Sequence, residues 1–135
     1  MAKILLIGSD PSISELYLKI LDANGFDSII ENSAKDGLDR LTDEFFPAAV
    51  VFLPREESLW FLIKLRAFHS VRVSSIPVLA VADEASENLV EYIESGATKV
   101  ISKFPTSGDK IVTELRNILN IPRMRPNNEA KQITN

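Results

Sequence analysis

Short apolar runs alternate along the chain with longer segments whose apolar residues recur at helical spacing. A run of four to six apolar residues between turn signals is typical of a buried strand, whereas spacing of three and four residues is typical of an amphipathic helix. The pattern predicts five strands, at Lys3–Ile7, Ser28–Glu31, Ala48–Leu53, Val78–Ala82 and Lys99–Ser102.

Each predicted strand is followed by a predicted helix, and capping signals mark several helix ends. Asp10-Pro11-Ser12 opens the first helix with Ser12-x-x-Glu15 as a possible capping box, and Asn24-Gly25 ends it. Ser33-x-x-Asp36 caps the second helix, which ends at Pro47. The three later helices are predicted at Ser58–Phe68, Ser86–Ser95 and Asp109–Leu119.

Five β-α repeats predict an α/β fold with a parallel sheet, helices on both faces and right-handed crossovers. Ala48–Leu53 is apolar throughout, which favours a central strand that is covered on both sides. We expect one domain over residues 1–121, because residues 122–135 lack periodicity and are mostly polar. Those last residues are predicted to be a flexible tail or the stub of a linker.

Composition narrows the function classes. The 135 residues are 45% apolar and 25% charged, as in an ordinary globular protein. The absence of cysteine excludes disulfides and thiolate metal sites, and a single histidine, His69, excludes a multi-histidine site. A net charge of −4 argues against nucleic-acid binding. The apolar runs are too short for a membrane span or a signal peptide, so we expect a cytoplasmic protein.

Four segments in this order resemble the receiver domain of two-component response regulators. The resemblance covers residues 2 to about 120 and rests on segments at Lys3–Pro11, Pro47–Leu53, Ile76–Ala82 and Ser95–Lys103. It implies the flavodoxin-like (βα)5 fold with strand order 2-1-3-4-5. It also implies a family that transfers a phosphoryl group from a phosphohistidine to its own aspartate with the help of Mg²⁺.

The positions that carry this chemistry in the family are mostly replaced in this sequence. Gly8 and Ser9 stand at the acidic pair, and Asp10 stands at a third, more peripheral position. Leu53 replaces the aspartate nucleophile, and Ala82 replaces the hydroxyl residue of the fourth strand. Mg²⁺ needs hard oxygen ligands and phosphoryl transfer needs a nucleophilic oxygen. We therefore expect a degenerate receiver, or pseudo-receiver, with no enzymatic activity and no bound Mg²⁺.

Lys103 alone matches the family's invariant lysine, while Val100 replaces its aromatic residue. Lys103 is therefore interpreted as a residue at the mouth of the degenerate pocket. Asp10 is interpreted first as a helix N-cap, because Pro11 follows it and negative charge is favoured there.

Leu59–Ile63 is apolar at five consecutive positions, although a helix on a sheet needs only an apolar stripe. We expect part of this run to be exposed, while Trp60 itself is assigned mainly to the core. The candidate interaction surface comprises Trp60, Phe61, Tyr92, Lys99 and Glu114.

Three functions remain open from the sequence. The first is a protein-interaction module in phosphorelay-type signalling, which binds itself or a sensor or output protein without phosphorylation. The second is a phosphoacceptor that uses a displaced carboxylate such as Glu56 or Asp10. The third is a small-ligand site at the carboxyl ends of the strands, where open α/β sheets bind ligands.

Overall fold

A computed structural model describes residues 3–82, 89–102 and 108–120. The strands are β1 (Lys3–Ile7), β2 (Asp27–Glu31), β3 (Ala48–Val51), β4 (Val78–Ala82) and β5 (Lys99–Ser102). The helices are α1 (Pro11–Ala23), α2 (Ala34–Asp43), α3 (Arg55–Arg66), α4 (Val71–Ser74), α5 (Leu89–Ser95) and α6 (Gly108–Leu119). The predicted start of a helix at Ser86, the Lys103 position and the 122–135 tail lie outside the described residues.

The five strands form one parallel sheet in the order β2-β1-β3-β4-β5. This order confirms the predicted doubly wound fold. The register pairs Ile7 with both Glu31 and Val51, and it pairs Ala82 with Ser102. The carboxyl ends of β1, β3 and β4 therefore meet at one edge of the sheet.

Two apolar cores cover the two faces of the sheet. Alternate residues of β1 point to opposite faces, as in any strand. Ile4 and Leu6 pack with α1 and α6, whereas Leu5 and Ile7 pack with α2, α3 and α5. All of β3 and β4 is buried, so the prediction of a central strand covered on both sides is confirmed.

Several bounds differ from the predictions, since β2 begins at Asp27, α2 ends at Asp43, α3 ends at Arg66 and α6 begins at Gly108. β3 ends at Val51, two residues before the predicted end at Leu53. α3 begins at Arg55 rather than Ser58, directly after Pro54, and acidic residues in its first turn suit the positive end of the helix dipole. The short α4 was not predicted, because four residues carry too little periodicity to signal a helix.

Arg66 ties α3 to the amino-terminal end of the sheet. Its guanidinium donates to the carbonyls of Ser74 at 2.9 Å, Ile76 at 2.7 Å and Gly96 at 2.8 Å. Burial lowers the pKa of Arg66 from its ordinary value. Gly96 adopts a positive φ of 127°, and a Cβ there would lie 2.6 Å from Cγ of Arg66. One charged side chain thus joins α3 to the end of α4, to the residues before β4 and to the turn before β5.

We expect Arg66→Met to lower the free energy of unfolding by about 3 kcal/mol, because three carbonyls lose a charged donor. Urea denaturation measures this change. Arg72→Met is the matched control, since Arg72 makes one exposed hydrogen bond to the Thr42 carbonyl. The control should lose less than about 0.5 kcal/mol. Equal losses for the two variants would contradict the structural role of Arg66.

Candidate functional site

The candidate site lies at the carboxyl edge of β1 and β3. The Phe52 amide donates to the Ile7 carbonyl at 2.8 Å, and the Gly8 amide donates to the Glu31 carbonyl at 3.0 Å. These bonds continue the sheet for one residue beyond β1 and β3. The structure therefore brings Gly8 next to Phe52.

The ring of Phe52 occupies the space beside Gly8. A Cβ added at Gly8 would lie 2.0 to 2.5 Å from three atoms of this ring. The ring is held in an edge-to-face contact with Tyr17, with 4.9 Å between the centroids. An acidic side chain at position 8 would have to displace the ring. In the sequence, this packing could be expected from the apolar pair Phe52-Leu53, which continues the apolar strand.

Leu53 is part of the apolar core. It is only 2% exposed and packs in the core shared by α2, α3 and α5. Its carbonyl accepts a hydrogen bond from the buried Ser58 hydroxyl at 3.1 Å. Ala82 is also fully buried in this core. Neither side chain has an oxygen that could attack or bind a phosphoryl group.

Asp10 is the N-cap of α1, which confirms the first interpretation of this residue. Its carboxylate accepts hydrogen bonds from the amides of Ser12 at 2.9 Å and Ile13 at 3.4 Å. The predicted capping box at Ser12-x-x-Glu15 is wrong, because Ser12 already lies inside the helix. Ser33 caps α2 as predicted, since its hydroxyl accepts from the Asp36 amide.

The carboxylates after Leu53 differ in their surroundings. Glu56 is exposed in the first turn of α3. Glu57 accepts a hydrogen bond from the Ala34 amide at 3.1 Å and so links α3 to the start of α2. No cluster of three acidic or histidine side chains that could hold a metal ion occurs in the described ranges. Glu57 is therefore engaged in the fold, and Glu56 faces solvent.

A small cavity of about 130 Å³ lies at this edge of the sheet. Its lining includes Ser9, Asp10, Phe52, Leu53 and Pro54. Pockets for small ligands usually begin at about 300 Å³. The cavity is therefore small for a nucleotide or a flavin.

The structure corrects most of the predicted interaction surface. Phe61 and Tyr92 are fully buried, and Glu114 is 6% exposed. Phe61 lies on the side of α3 that faces the sheet, and Tyr92 packs in the same core. The Glu114 carboxylate is paired with Lys99 at 3.8 Å and with Lys110 at 3.2 Å. These three residues were wrongly assigned to the surface.

Trp60 and Lys99 are exposed, as a surface role requires. Trp60 is 44% exposed, so its assignment to the core is wrong, while the expected exposure of part of Leu59–Ile63 is confirmed. Sequence reasoning missed the exposed side chains of Val90 and Ile93 on α5. For Trp60, the sequence signal is the spacing of Phe61, Leu62 and Leu65, which lie together on the buried side of α3 and leave Trp60 outside.

No known family profile matches the chain. The transcriptional regulatory protein CpxR of Escherichia coli K12 is 29% identical over 121 residues, which cover 88% of this chain and 50% of CpxR. CpxR of Shigella flexneri matches to the same extent. The chain thus spans about half the length of the curated relatives it matches.

Solved structures match over most of the described fold. A CheY-like response regulator receiver domain protein from Methanospirillum hungatei has a TM-score of 0.76 and 26% identity, covering 89% of this chain and 94% of that protein. HP1043, an orphan response regulator of H. pylori, has a TM-score of 0.72 and 25% identity, with coverage of 87% and 96%. CheY4 of Vibrio cholerae, a chemotaxis response regulator, has a TM-score of 0.77 and 21% identity, with coverage of 87% and 98%. The similarities support a response regulator receiver domain with the flavodoxin-like fold.

We expect Gly8→Ala to lower the free energy of unfolding by about 1–2 kcal/mol, because the new methyl group clashes with the Phe52 ring. In a Phe52→Ala background the same change should be neutral or stabilising, since alanine at a glycine site reduces the freedom of the unfolded chain. A double-mutant cycle by urea denaturation measures this coupling. Ser9→Ala, an exposed neighbour, serves as the control. A cycle without coupling would contradict the packing described.

We expect Asp10→Ala to cost about 1 kcal/mol of stability, whereas Asp10→Asn should retain most of it. Asparagine preserves an oxygen that accepts from the Ser12 amide but removes the charge. Thermal or urea denaturation compares the two variants. If asparagine destabilised the fold as much as alanine does, the charge would matter more than the capping bond.

Proposed function

We propose that the chain is a pseudo-receiver, a receiver domain that accepts no phosphoryl group at the edge of β3 and acts as a protein-interaction module in two-component signalling. The observation that carries the proposal is the burial of Leu53 at the position of the family's nucleophile. A leucine packed in the core offers no oxygen that could accept a phosphoryl group.

The packing around Leu53 supports the same proposal. The Phe52 ring fills the space that a side chain at position 8 would need. Asp10 is engaged as a cap, and Ser9 carries no charge. These three features leave the edge without the free carboxylate pair that would hold a magnesium ion. We therefore propose that Mg²⁺ has no role in this domain.

The partner proposed is a sensor or output protein of the signalling pathway, or a second copy of the chain, in the cytoplasm. No helix in the described part of the chain is long and apolar enough to cross a bilayer. We propose no binding to nucleic acid by this domain, because its net charge is negative. The proposed domain comprises residues 1–121.

The displaced-carboxylate alternative has one specific observation in its favour, which is the exposure of Glu56 close behind Leu53. Asp10 is a weaker candidate, because its carboxylate already accepts two amide hydrogen bonds. The small-ligand alternative is disfavoured by the size of the cavity.

We expect no phosphoryl adduct when the full chain is incubated with acetyl phosphate and Mg²⁺ and its intact mass is measured. A receiver that has the aspartate nucleophile is treated in parallel as the positive control. Beryllofluoride with Mg²⁺ should likewise leave the NMR signals of Leu53 and Lys103 unchanged.

An added phosphoryl group would contradict the proposal. Glu56→Gln and Asp10→Asn then identify the acceptor, since only the variant that lacks the reacting carboxylate loses the adduct. Ser9→Ala tests in the same way whether a hydroxyl carries the label.

A further inference from the structure

The outer face of α3 carries a row of three exposed side chains four residues apart. Glu56, Trp60 and Lys64 follow one another along this row, which points away from the buried side of the helix. Ile63 lies beside the row and is 55% exposed. Residues at i and i+4 are neighbours on a helix surface, so the row is continuous. It presents an acid, an indole and a base in order.

The fold itself does not account for this row. The opposite side of α3, formed by Phe61, Leu62 and Leu65, is fully buried against the sheet. Trp60 remains 44% exposed, and its contact with Lys64 is a cation–π approach of 5.7 Å at the surface. Tryptophan is enriched at protein interfaces relative to the rest of the surface.

The charges at the two ends of the row form no ion pair within the described part of the chain, and Lys64 contacts only the Trp60 ring of the same row. Neighbouring charged residues do have partners, since Arg55 is paired with Glu91 and Glu57 accepts from the Ala34 amide. Glu56 and Lys64, by contrast, form no ion pair among the described residues. They are therefore available to a partner.

The row is complementary to itself. A two-fold axis through Trp60 and perpendicular to α3 places Glu56 of one copy opposite Lys64 of the other copy, and this pairing occurs twice. The two indoles then meet at the centre. Such an isologous contact is the commonest form of dimer interface.

We infer that α3 docks against α3 of a second copy through Glu56, Trp60 and Lys64. The inference rests on the proposed function and names one partner of the interaction module. The complementary charges favour this surface over the exposed Val90 and Ile93 of α5, where no such pattern occurs among the described residues. The dimer has two ion pairs around an apolar centre and requires no phosphorylation.

Sedimentation equilibrium of the full chain tests the inference. The wild type should dimerise in a concentration-dependent way. Glu56→Lys and Lys64→Glu each turn both ion pairs into repulsions, so each should raise the dissociation constant about tenfold or more. The double variant E56K/K64E reverses both charges and should dimerise like the wild type. An equal mixture of the two single variants should form heterodimers.

The single tryptophan of the chain provides a second readout. Its fluorescence should shift to shorter wavelength as the wild type dimerises, and circular dichroism checks that each variant is folded. Ile93→Glu on α5 is the matched control and should leave the dimer intact. A monomeric wild type, a double variant that fails to recover, or loss of the dimer in the control would each overturn the inference. None of these results affects the mass measurement with acetyl phosphate, so the two proposals fail separately.

Discussion

The structure depends on the burial of three central strands on both faces. β1, β3 and β4 are apolar at nearly every position, and their alternate residues enter two separate cores. A strand of this kind is stable only when both faces of the sheet are covered, and helical crossovers between parallel strands place helices on both faces. The meeting of strand ends at one edge follows from this constraint. The identity of the residues at that edge then decides what the domain can do.

At this edge the apolar pattern of β3 continues for two residues past the strand. Phe52 and Leu53 turn a place that could hold charged groups into part of the packing, one on each side of the sheet. The Phe52 ring beside Gly8 and the buried Leu53 side chain therefore both fill this edge with apolar packing. Restoring a single acid would not restore a charged site, because the packing would oppose it.

The strands and their order could be predicted, since apolar runs and β-α alternation are local signals. The side of α3 that faces the core could not be predicted, because five consecutive apolar residues are compatible with several faces of a helix. Phe61 was assigned to the surface and Trp60 mainly to the core, and both assignments are wrong. Glu114 is paired with Lys110 four residues away, which a local pattern can reveal, and also with Lys99 of β5, which no local pattern reveals. The cap at Asp10 was predicted correctly from its proline, although Ser12 offered a competing signal. The loss of charged residues at the site could be predicted from Gly8 and Leu53 in the sequence. The packing of the Phe52 ring beside Gly8 is seen only in the structure.

The packing of Leu53 also bears on how α3 is presented to a partner. Only Pro54 separates Leu53 from α3, and the Ser58 hydroxyl of the first turn donates to the Leu53 carbonyl. The other end of the helix is fixed by Arg66, which holds three carbonyls of the sheet end. A helix anchored at both ends by buried or charged contacts keeps its outer row in one orientation. If the edge of β3 accepts no phosphoryl group, nothing at that edge changes this orientation, so docking through α3 is expected to be constitutive and to depend on concentration.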